Sequence, residues 1–102
     1  MHAGVDGALV VLAGRLDVRG APVAREALQA ALKAGKGELV VDLSRVELLD
    51  ATGLGVLVAA HRRARLAGRR LVLRDAAPRV ARLLSLTRID RIIATEYRSV
   101  PA

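Results

Sequence analysis

The chain has 102 residues and no cysteine, and Tyr97 is its single aromatic residue. This composition predicts one domain without disulfides, thiolate metal sites or cysteine catalysis, and without aromatic platforms for stacked bases. The formal net charge of +7 is concentrated in residues 61–102, which hold eleven Arg against three acidic residues, so an acidic partner, a phosphate-bearing ligand or a nucleic acid is implied.

The first predicted elements are a β-hairpin and a helix. Asp6-Gly7 stands between two short apolar segments, which is a strong hairpin signal, and the second strand is predicted over 8–13. A helix is predicted over 21–34, with Pro22 in its first turn and Gly35 at its carboxyl end. One apolar stripe along this helix predicts the face that packs on the core: Ala24, Ala27, Leu28, Ala31 and Leu32.

The rest of the chain alternates strands and helices. Strands are predicted at 39–43, 71–73 and 92–94, with helices over about 53–67 and from Pro78 onward, and residues 96–102 are predicted to form a tail. In the third helix, Val80, Leu83 and Leu84 are predicted to face inward. Strands joined through helices pair in parallel, so the sequence predicts a single α/β domain over residues 1–102. Its mixed, mostly parallel sheet begins with an antiparallel hairpin and packs against helices.

The segment 48–57 joins the central strand to the second helix, and it carries the side chains of greatest chemical interest. The Thr52 hydroxyl is predicted to lie over free backbone N–H groups and the positive end of the helix dipole, where a phosphate is well placed. Two interpretations of Thr52 remain open: a helix N-cap worth ~0.5–2 kcal/mol, or an acceptor for phosphorylation. Asp50 is an alternative cap, or a group that orients the Thr52 hydroxyl or contacts a partner.

Gly53 and Gly55 lie in the first turn of that helix, where each nominally weakens the helix by ~1 kcal/mol relative to Ala. Glycine is favoured at such positions where another backbone comes close. The pair lacks the Lys and the spacing of a P-loop, so it gives little support to nucleotide binding.

Catalytic and metal-binding patterns are absent from the sequence. His2 and His61 lie far apart without partners at ligand spacing, and both are predicted to be surface imidazoles. The hydroxyl residues Ser44, Ser85, Thr87 and Ser99 have no His–Asp arrangement nearby, so neither an enzyme nor a cofactor is predicted. No run approaches the ~18 apolar residues of a membrane span, and Asp6 stands where a signal peptide carries Lys or Arg. A soluble, cytoplasmic protein is therefore expected.

A basic cluster closes the second helix and continues beyond it: His61, Arg62, Arg63, Arg65, Arg69 and Arg70. Cations are well placed at a helix carboxyl end, so a solvated helix face is one interpretation, and an anion-binding surface is the other. At a rise of 1.5 Å per residue the cluster is predicted to lie ~15–20 Å from Thr52. It cannot neutralise a phosphate there. Arg79 and Arg82 on the third helix are predicted to face outward and are the alternative cations.

Taken as a whole, the chain resembles the STAS family, and specifically its small anti-sigma factor antagonists. The resemblance is carried by Val41-Asp42-Leu43-Ser44-Arg45-Val46, by Leu49 to Leu57, by Gly14-Arg15-Leu16-Asp17 and by Leu84 to Asp90. It implies that Thr52 is phosphorylated by a Ser/Thr kinase that doubles as the anti-sigma factor. The chain departs from the family pattern at Arg15, which replaces an acid, at Ala51, which replaces a second hydroxyl, and in its basic half.

The resemblance implies a partner switch. Unphosphorylated protein is expected to bind the ATP-binding anti-sigma kinase and release a sigma factor, and a phosphatase is expected to reset the switch. The expected contact residues are Asp50, Ala51, Thr52, Gly53, Leu54, Gly55, Arg79 and Arg82. The alternatives are a STAS subunit of a lipid-transport ABC ATPase, and anionic-membrane or nucleic-acid binding through Arg62, Arg63, Arg65, Arg69 and Arg70. Nucleic acid is the less expected partner.

Overall fold

A five-stranded sheet organises the chain, and its strands lie side by side in chain order. The computed structural model describes residues 1–98. The strands are β1 (His2–Asp6), β2 (Leu9–Leu16), β3 (Leu39–Leu49), β4 (Leu71–Arg74) and β5 (Ala94–Glu96). β1 pairs with β2 in antiparallel orientation, and the other three pairs are parallel. The predicted fold class is therefore confirmed.

Three helices connect the parallel strands: α1 (Ala21–Ala34), α2 (Ala51–Leu66) and α3 (Pro78–Leu86). Each connection moves one position along the sheet in the same direction. Because such crossovers are right-handed, successive helices fall on one face of the sheet. The core lies between this helix layer and strand residues such as Val10, Leu12, Val41 and Leu73.

The observed α1 matches its predicted bounds, and Ala24, Leu28, Ala31 and Leu32 of the predicted stripe are buried, while Ala27 is half-buried. In α3, Val80 and Leu84 are buried and Leu83 is half-buried against the core. Arg79 and Arg82 are exposed, as predicted.

The central strand is longer than predicted, because β3 continues past Leu43 to Leu49. The continuation begins at an irregularity in the β2–β3 register. There Asp42 Oδ1 accepts hydrogen bonds from the Ser44 backbone N–H (2.8 Å) and the Ser44 hydroxyl (2.6 Å). Pairing continues beyond this irregularity, passes a second register shift between Gly14 and Arg15, and ends with Leu49 opposite Leu16.

The end of the described chain differs from the prediction. Ile89–Arg91 forms a short 3-10 helix, Ile93 is buried, and Ile92 is exposed. The last strand is Ala94–Glu96, so the predicted strand at 92–94 was placed two residues early. Glu96, where the predicted tail began, pairs with Arg74 in the sheet, and its side chain accepts from Arg74 Nε at 2.9 Å. Tyr97 and Arg98 belong to no strand or helix, in agreement with the predicted tail. Residues 99–102 of that prediction lie outside the described residues.

Candidate functional site

The amino end of α2 is formed where two parallel strands end together. β2 ends at Leu16 and β3 at Leu49, and the Asp50 N–H lies 3.5 Å from the Leu16 carbonyl oxygen. Asp50 is the N-cap, since its Oδ1 accepts from the Gly53 N–H at 2.9 Å. This bond satisfies one of the free N–H groups of the first turn.

Thr52 is the second residue of α2, and it is half-buried. The interpretation of Thr52 as the cap is wrong. Asp50 occupies the cap position, and its Oδ1 accepts the hydrogen bond from the Gly53 N–H. The hydroxyl of Thr52 has no hydrogen-bond partner within residues 1–98. Thr52 therefore stands in the first helical turn with its hydroxyl uncommitted, and with exposed Ala51 beside it.

Gly53 and Gly55 have opposite surroundings although only one residue, Leu54, separates them. A Cβ on Gly53 would lie 2.1 Å from the Leu16 carbonyl oxygen and 2.7 Å from Leu49 Cδ1. A Cβ on Gly55 would meet nothing within 4 Å. Gly53 is buried and lets α2 pack against β2, whereas Gly55 is exposed. Of the residues predicted to contact a partner, Gly53 is thus the one enclosed by its own chain.

The loop after β2 lies beside this helix end and was not singled out from the sequence as part of the site. Asp17 Oδ1 accepts from the N–H groups of Arg19 (3.0 Å) and Gly20 (2.9 Å). The Gly20 bond is the main reason why the pKa of Asp17 lies below its ordinary value of 3.8. The turn leaves Val18 68% exposed. The spacing Asp17-x-x-Gly20 is a typical turn signal and marks this loop in the sequence.

Of the two predicted cations on α3, Arg79 shares a groove with the strand that leads into the loop. A shallow groove of about 150 Å³ is lined by Arg79, Val80 and Leu83 from α3 and by Glu47, Leu48 and Leu49 from β3. Arg79 thus lies beside the end of β3, which leads directly into Asp50. Arg82 is exposed on α3 and does not line this groove.

The basic cluster beyond α2 is not a single surface. Arg69 is buried, with 6% of its surface exposed, and its guanidinium donates to backbone carbonyls at the end of α1. The bonds run from Nη1 to Ala31 O (2.9 Å) and Leu32 O (3.1 Å), and from Nε to Gly37 O (2.9 Å). Arg69 therefore caps α1, which removes it from the predicted anion-binding set.

The remaining basic residues of that set are exposed. Arg70 Nη1 lies 3.4 Å from Glu38 Oε2 in an exposed ion pair. His61 is half-buried on α2 and is not the surface imidazole that was predicted; its Nδ1 is buried without a hydrogen bond in the described chain. Burial, followed by the charges of Arg65 and Arg62, lowers the pKa of His61 below 6.5.

Residues 1–98 contain no group of three His, Asp or Glu side chains arranged to hold a metal ion, and no helix among them is long and apolar enough to cross a membrane. Ser44 is bonded to Asp42, and Thr87 donates to Leu83 O at 2.7 Å. Thr52 is thus the residue at the amino end of α2 whose hydroxyl has no partner within residues 1–98.

Comparison with known proteins gives one consistent family. A family model described as "Mlab, STAS domain" matches residues 3–94. An anti-sigma-B factor antagonist of Bacillus subtilis is 36% identical over 90 residues, which are 88% of this chain and 82% of that protein.

Solved structures agree with this match. An anti-sigma factor antagonist from Mycobacterium paratuberculosis is 27% identical with a TM-score of 0.73, over 97% of this chain and 85% of that one. The anti-sigma factor antagonist SpoIIAA in its unphosphorylated form is 16% identical and shares the fold, with a TM-score of 0.77 over 96% of this chain and 87% of that one.

Proposed function

The chain belongs to the STAS domain family, and from that premise we propose that it is an anti-sigma factor antagonist switched by phosphorylation of Thr52. Relatives and structural neighbours that carry this functional name support the first part of the proposal. The second part depends on one observation: Asp50 caps α2, and the hydroxyl of half-buried Thr52 forms no hydrogen bond within residues 1–98.

In the unphosphorylated state, the amino end of α2 docks on an anti-sigma factor that is also a Ser/Thr kinase, and a sigma factor is released. The docking surface comprises the accessible residues around Thr52: Asp50, Ala51, Leu54, Gly55 and Arg79. Gly55 suits close approach, since nothing lies within 4 Å of its missing side chain. Buried Gly53 supports this surface from behind, by holding α2 against Leu16.

Phosphorylation adds about −1.5 to −2 charges at Thr52. The fold tolerates this charge, because the amino end of a helix attracts anions by ~0.3–2 kcal/mol. A packed interface does not tolerate it, because the phosphate must lose its water on docking. Each ~1.4 kcal/mol of that penalty weakens binding about tenfold. The phosphate therefore dissociates the complex without unfolding the domain, and a phosphatase restores binding.

The test is affinity capture from lysate of the native host with ADP present, followed by identification of the retained protein and transfer of phosphate from ATP. We expect an ATP-binding Ser/Thr kinase to be retained, and to phosphorylate Thr52. Thr52→Ala is expected to bind the kinase and stay bound when ATP is added, and Thr52→Glu to bind at least tenfold more weakly.

Ser85 provides the matched control, because it is an exposed hydroxyl residue on another helix. Ser85→Ala and Ser85→Glu should bind and dissociate like the unmodified protein. If Thr52→Ala itself loses binding, Thr52 is a contact and not a switch. Retention of a lipid-transport ATPase, with no phosphate on Thr52, would replace this proposal by the alternative of a constant STAS subunit. Retention of nucleic acid that is lost at moderate salt would replace it by anion binding.

A further inference from the structure

Within residues 1–98 the sheet ends at β1 on one side and at β5 on the other, and the two edges differ. β5 is a strand of only three residues. β1 has five residues and pairs with β2 along its whole length without a register shift. It contains no Pro, Lys or Arg and no β-bulge, the features that commonly prevent an edge strand from pairing with another chain. Nothing in β1 itself therefore opposes the addition of a further strand.

The two-residue turn after β1 determines which backbone groups of the strand face outward. Asp6 and Leu9 flank this turn and close it as a hydrogen-bonded pair. Since bonded and non-bonded pairs alternate along an antiparallel ladder, every second residue of β1, counted back from Asp6, directs its N–H and C=O towards β2. The backbone groups of Ala3 and Val5 therefore point away from the sheet.

We propose that β1 pairs with β1 of a second copy of this chain, in antiparallel orientation about a two-fold axis at Gly4. This register pairs Ala3 with Val5 of the second copy, so that their outward groups bond to each other on both sides of the axis. It also brings His2 opposite Asp6 of the second copy, in non-hydrogen-bonded pairs whose side chains lie close together. An axis at Ala3 or Val5 would keep only three residues of each strand in pairing and would lose both His–Asp pairs.

The position of α1 fits this arrangement. The helix packs against both β1 and β2, so its axis lies about half a strand spacing inside the edge. Two copies joined through β1 therefore place their α1 axes two strand spacings, or ~10 Å, apart. Helices in contact lie about 8–10 Å apart, so the two copies of α1 also meet.

The side of α1 that meets its copy faces away from α2 and is apolar. Its residues are spaced three or four apart: Val23, Ala27, Ala30 and Ala34. Val5 lies below them on the same face of the sheet, because it pairs with the core residue Val10. Val5 is 48% exposed and Val23 is 42% exposed. The pairing therefore covers apolar side chains that are exposed in a single copy.

The proposal goes beyond the function at Thr52 and does not rest on it. α1 packs against α2 on one side and against β1 below, so it separates the two surfaces. The pair of chains therefore leaves both Thr52 residues accessible. Each copy uses its only β1 edge, so a two-fold pairing closes at the dimer.

The test is sedimentation velocity of the whole chain from about 10 µM to about 1 mM, because a contact of this size is expected to be weak. We expect a monomer–dimer equilibrium without larger species. In ¹⁵N-labelled protein, the amides of Ala3 and Val5 should shift with concentration and exchange more slowly with solvent in the dimer. The amide of Gly4 serves as an internal control, since it is bonded to β2 in either state and should change its exchange less.

Gly4→Lys places two ammonium groups opposite each other at the axis and is expected to weaken the dimer about tenfold or more. The single chain should keep its stability, because a Cβ on Gly4 meets nothing within 4 Å. Ser85→Lys is the matched control. It changes the net charge equally at an exposed position on α3 and should associate like the parent protein.

Exchange of the charged pair tests the register. His2→Asp sets a second carboxylate against Asp6 of the other copy and should weaken the dimer several-fold. His2→Asp combined with Asp6→His restores the pair in reverse, and association should return. Thermal unfolding checks that each variant folds, and Gly4→Lys decides the question if the double variant does not.

The proposal would be overturned by a chain that stays monomeric at the highest concentration, by equal weakening in Gly4→Lys and Ser85→Lys, or by shifts confined to amides outside β1 and α1. Growth beyond the dimer would also contradict it, because a closed two-fold pair leaves no second β1 edge. Failure here leaves phosphorylation of Thr52 intact, and failure at Thr52 leaves the dimer intact.

Discussion

At each end of α2, two residues of the same type differ in their surroundings: one is enclosed by the chain and the other is exposed. At the amino end, Gly53 is pressed against Leu16 and Gly55 faces open space. Just beyond the carboxyl end, Arg69 is buried against the carbonyls of α1, and Arg70 is exposed beside Glu38. The pairs differ in what faces them and not in residue type.

This contrast teaches how to divide a motif into structural and functional parts. The enclosed member of each pair satisfies or accommodates backbone atoms of another element: the Leu16 carbonyl for Gly53, and the Ala31 and Leu32 carbonyls for Arg69. The open members contribute little to stability and are available to partners. Substitutions at the enclosed residues should therefore change folding, and substitutions at the open residues should change binding.

The largest effect is expected at Arg69. Arg69→Met keeps an unbranched apolar chain but leaves the carbonyls at the end of α1 without donors, at a cost of ~1–3 kcal/mol for each buried group. We expect the free energy of unfolding to fall by about 3 kcal/mol in urea titrations. Arg70→Met is the control and should cost no more than ~1 kcal/mol, because the Arg70–Glu38 pair is exposed. Equal losses would show that Arg69 is not a cap.

The next effect separates the two glycines. Gly53→Ala forces a methyl group onto the Leu16 carbonyl, so we expect a loss of about 2 kcal/mol, as for other overpacked sites. Gly55→Ala should instead raise the free energy of unfolding by up to ~1 kcal/mol, since alanine favours the helix and meets no neighbour. Under the proposed docking mode, Gly55→Ala also weakens kinase binding. A variant that is more stable yet binds less well would be direct evidence for an interface at Gly55.

Much of the fold follows from local patterns in the sequence. The bounds of α1 are predictable because Pro22, a regular apolar stripe and Gly35 agree. The extension of β3 to Leu49 is not, because it involves two register shifts between β2 and β3, the first of which is accompanied by the Asp42–Ser44 bonds. The position of β5 could not be predicted either. The apolar pair Ile92-Ile93 indicates a strand, but in the structure only Ile93 of the pair is buried, and pairing with β4 begins at Ala94.

The site shows the same limit. The sequence placed Asp50, Thr52 and the glycines at the start of a helix, and left open which side chain caps it. The structure decides for Asp50, since this depends on where β3 ends. Arg69 could not be separated from Arg70 by charge or spacing, because its partners lie more than thirty residues earlier in the chain.

The smallest effect is a difference in pH dependence between the two ends. On the carboxyl half of α2, the pKa of His61 lies below 6.5, mainly because of burial and then because of Arg65 and Arg62. The unfolded chain then takes up a proton near the ordinary pKa, while the folded chain does so only at lower pH. Stability should therefore be full above about pH 6.5 and fall as the pH drops below that value. Beside the amino end, the lowered pKa of Asp17 produces a loss that begins only near its ordinary value of 3.8.

Urea titrations at a series of pH values should separate the loss of stability below about pH 6.5 from the loss near pH 3.8. They compare the parent protein with His61→Gln and Asp17→Asn. We expect His61→Gln to remove the decline that begins near pH 6.5, and to leave the acid decline unchanged. Asp17→Asn should reduce the acid decline and leave the decline due to His61 unchanged. Part of the acid decline remains in this variant, because the Arg98 backbone N–H lowers the pKa of Asp75 as well. Arg65→Gln should reduce the loss of stability that is due to His61 without abolishing it, because burial is the larger cause of the lowered pKa of His61. If the free energy of unfolding depends on pH in the same way in the parent protein and in His61→Gln, the imidazole is hydrated in the folded state. Arg69 is then the one residue of this comparison that is enclosed near the carboxyl end of α2.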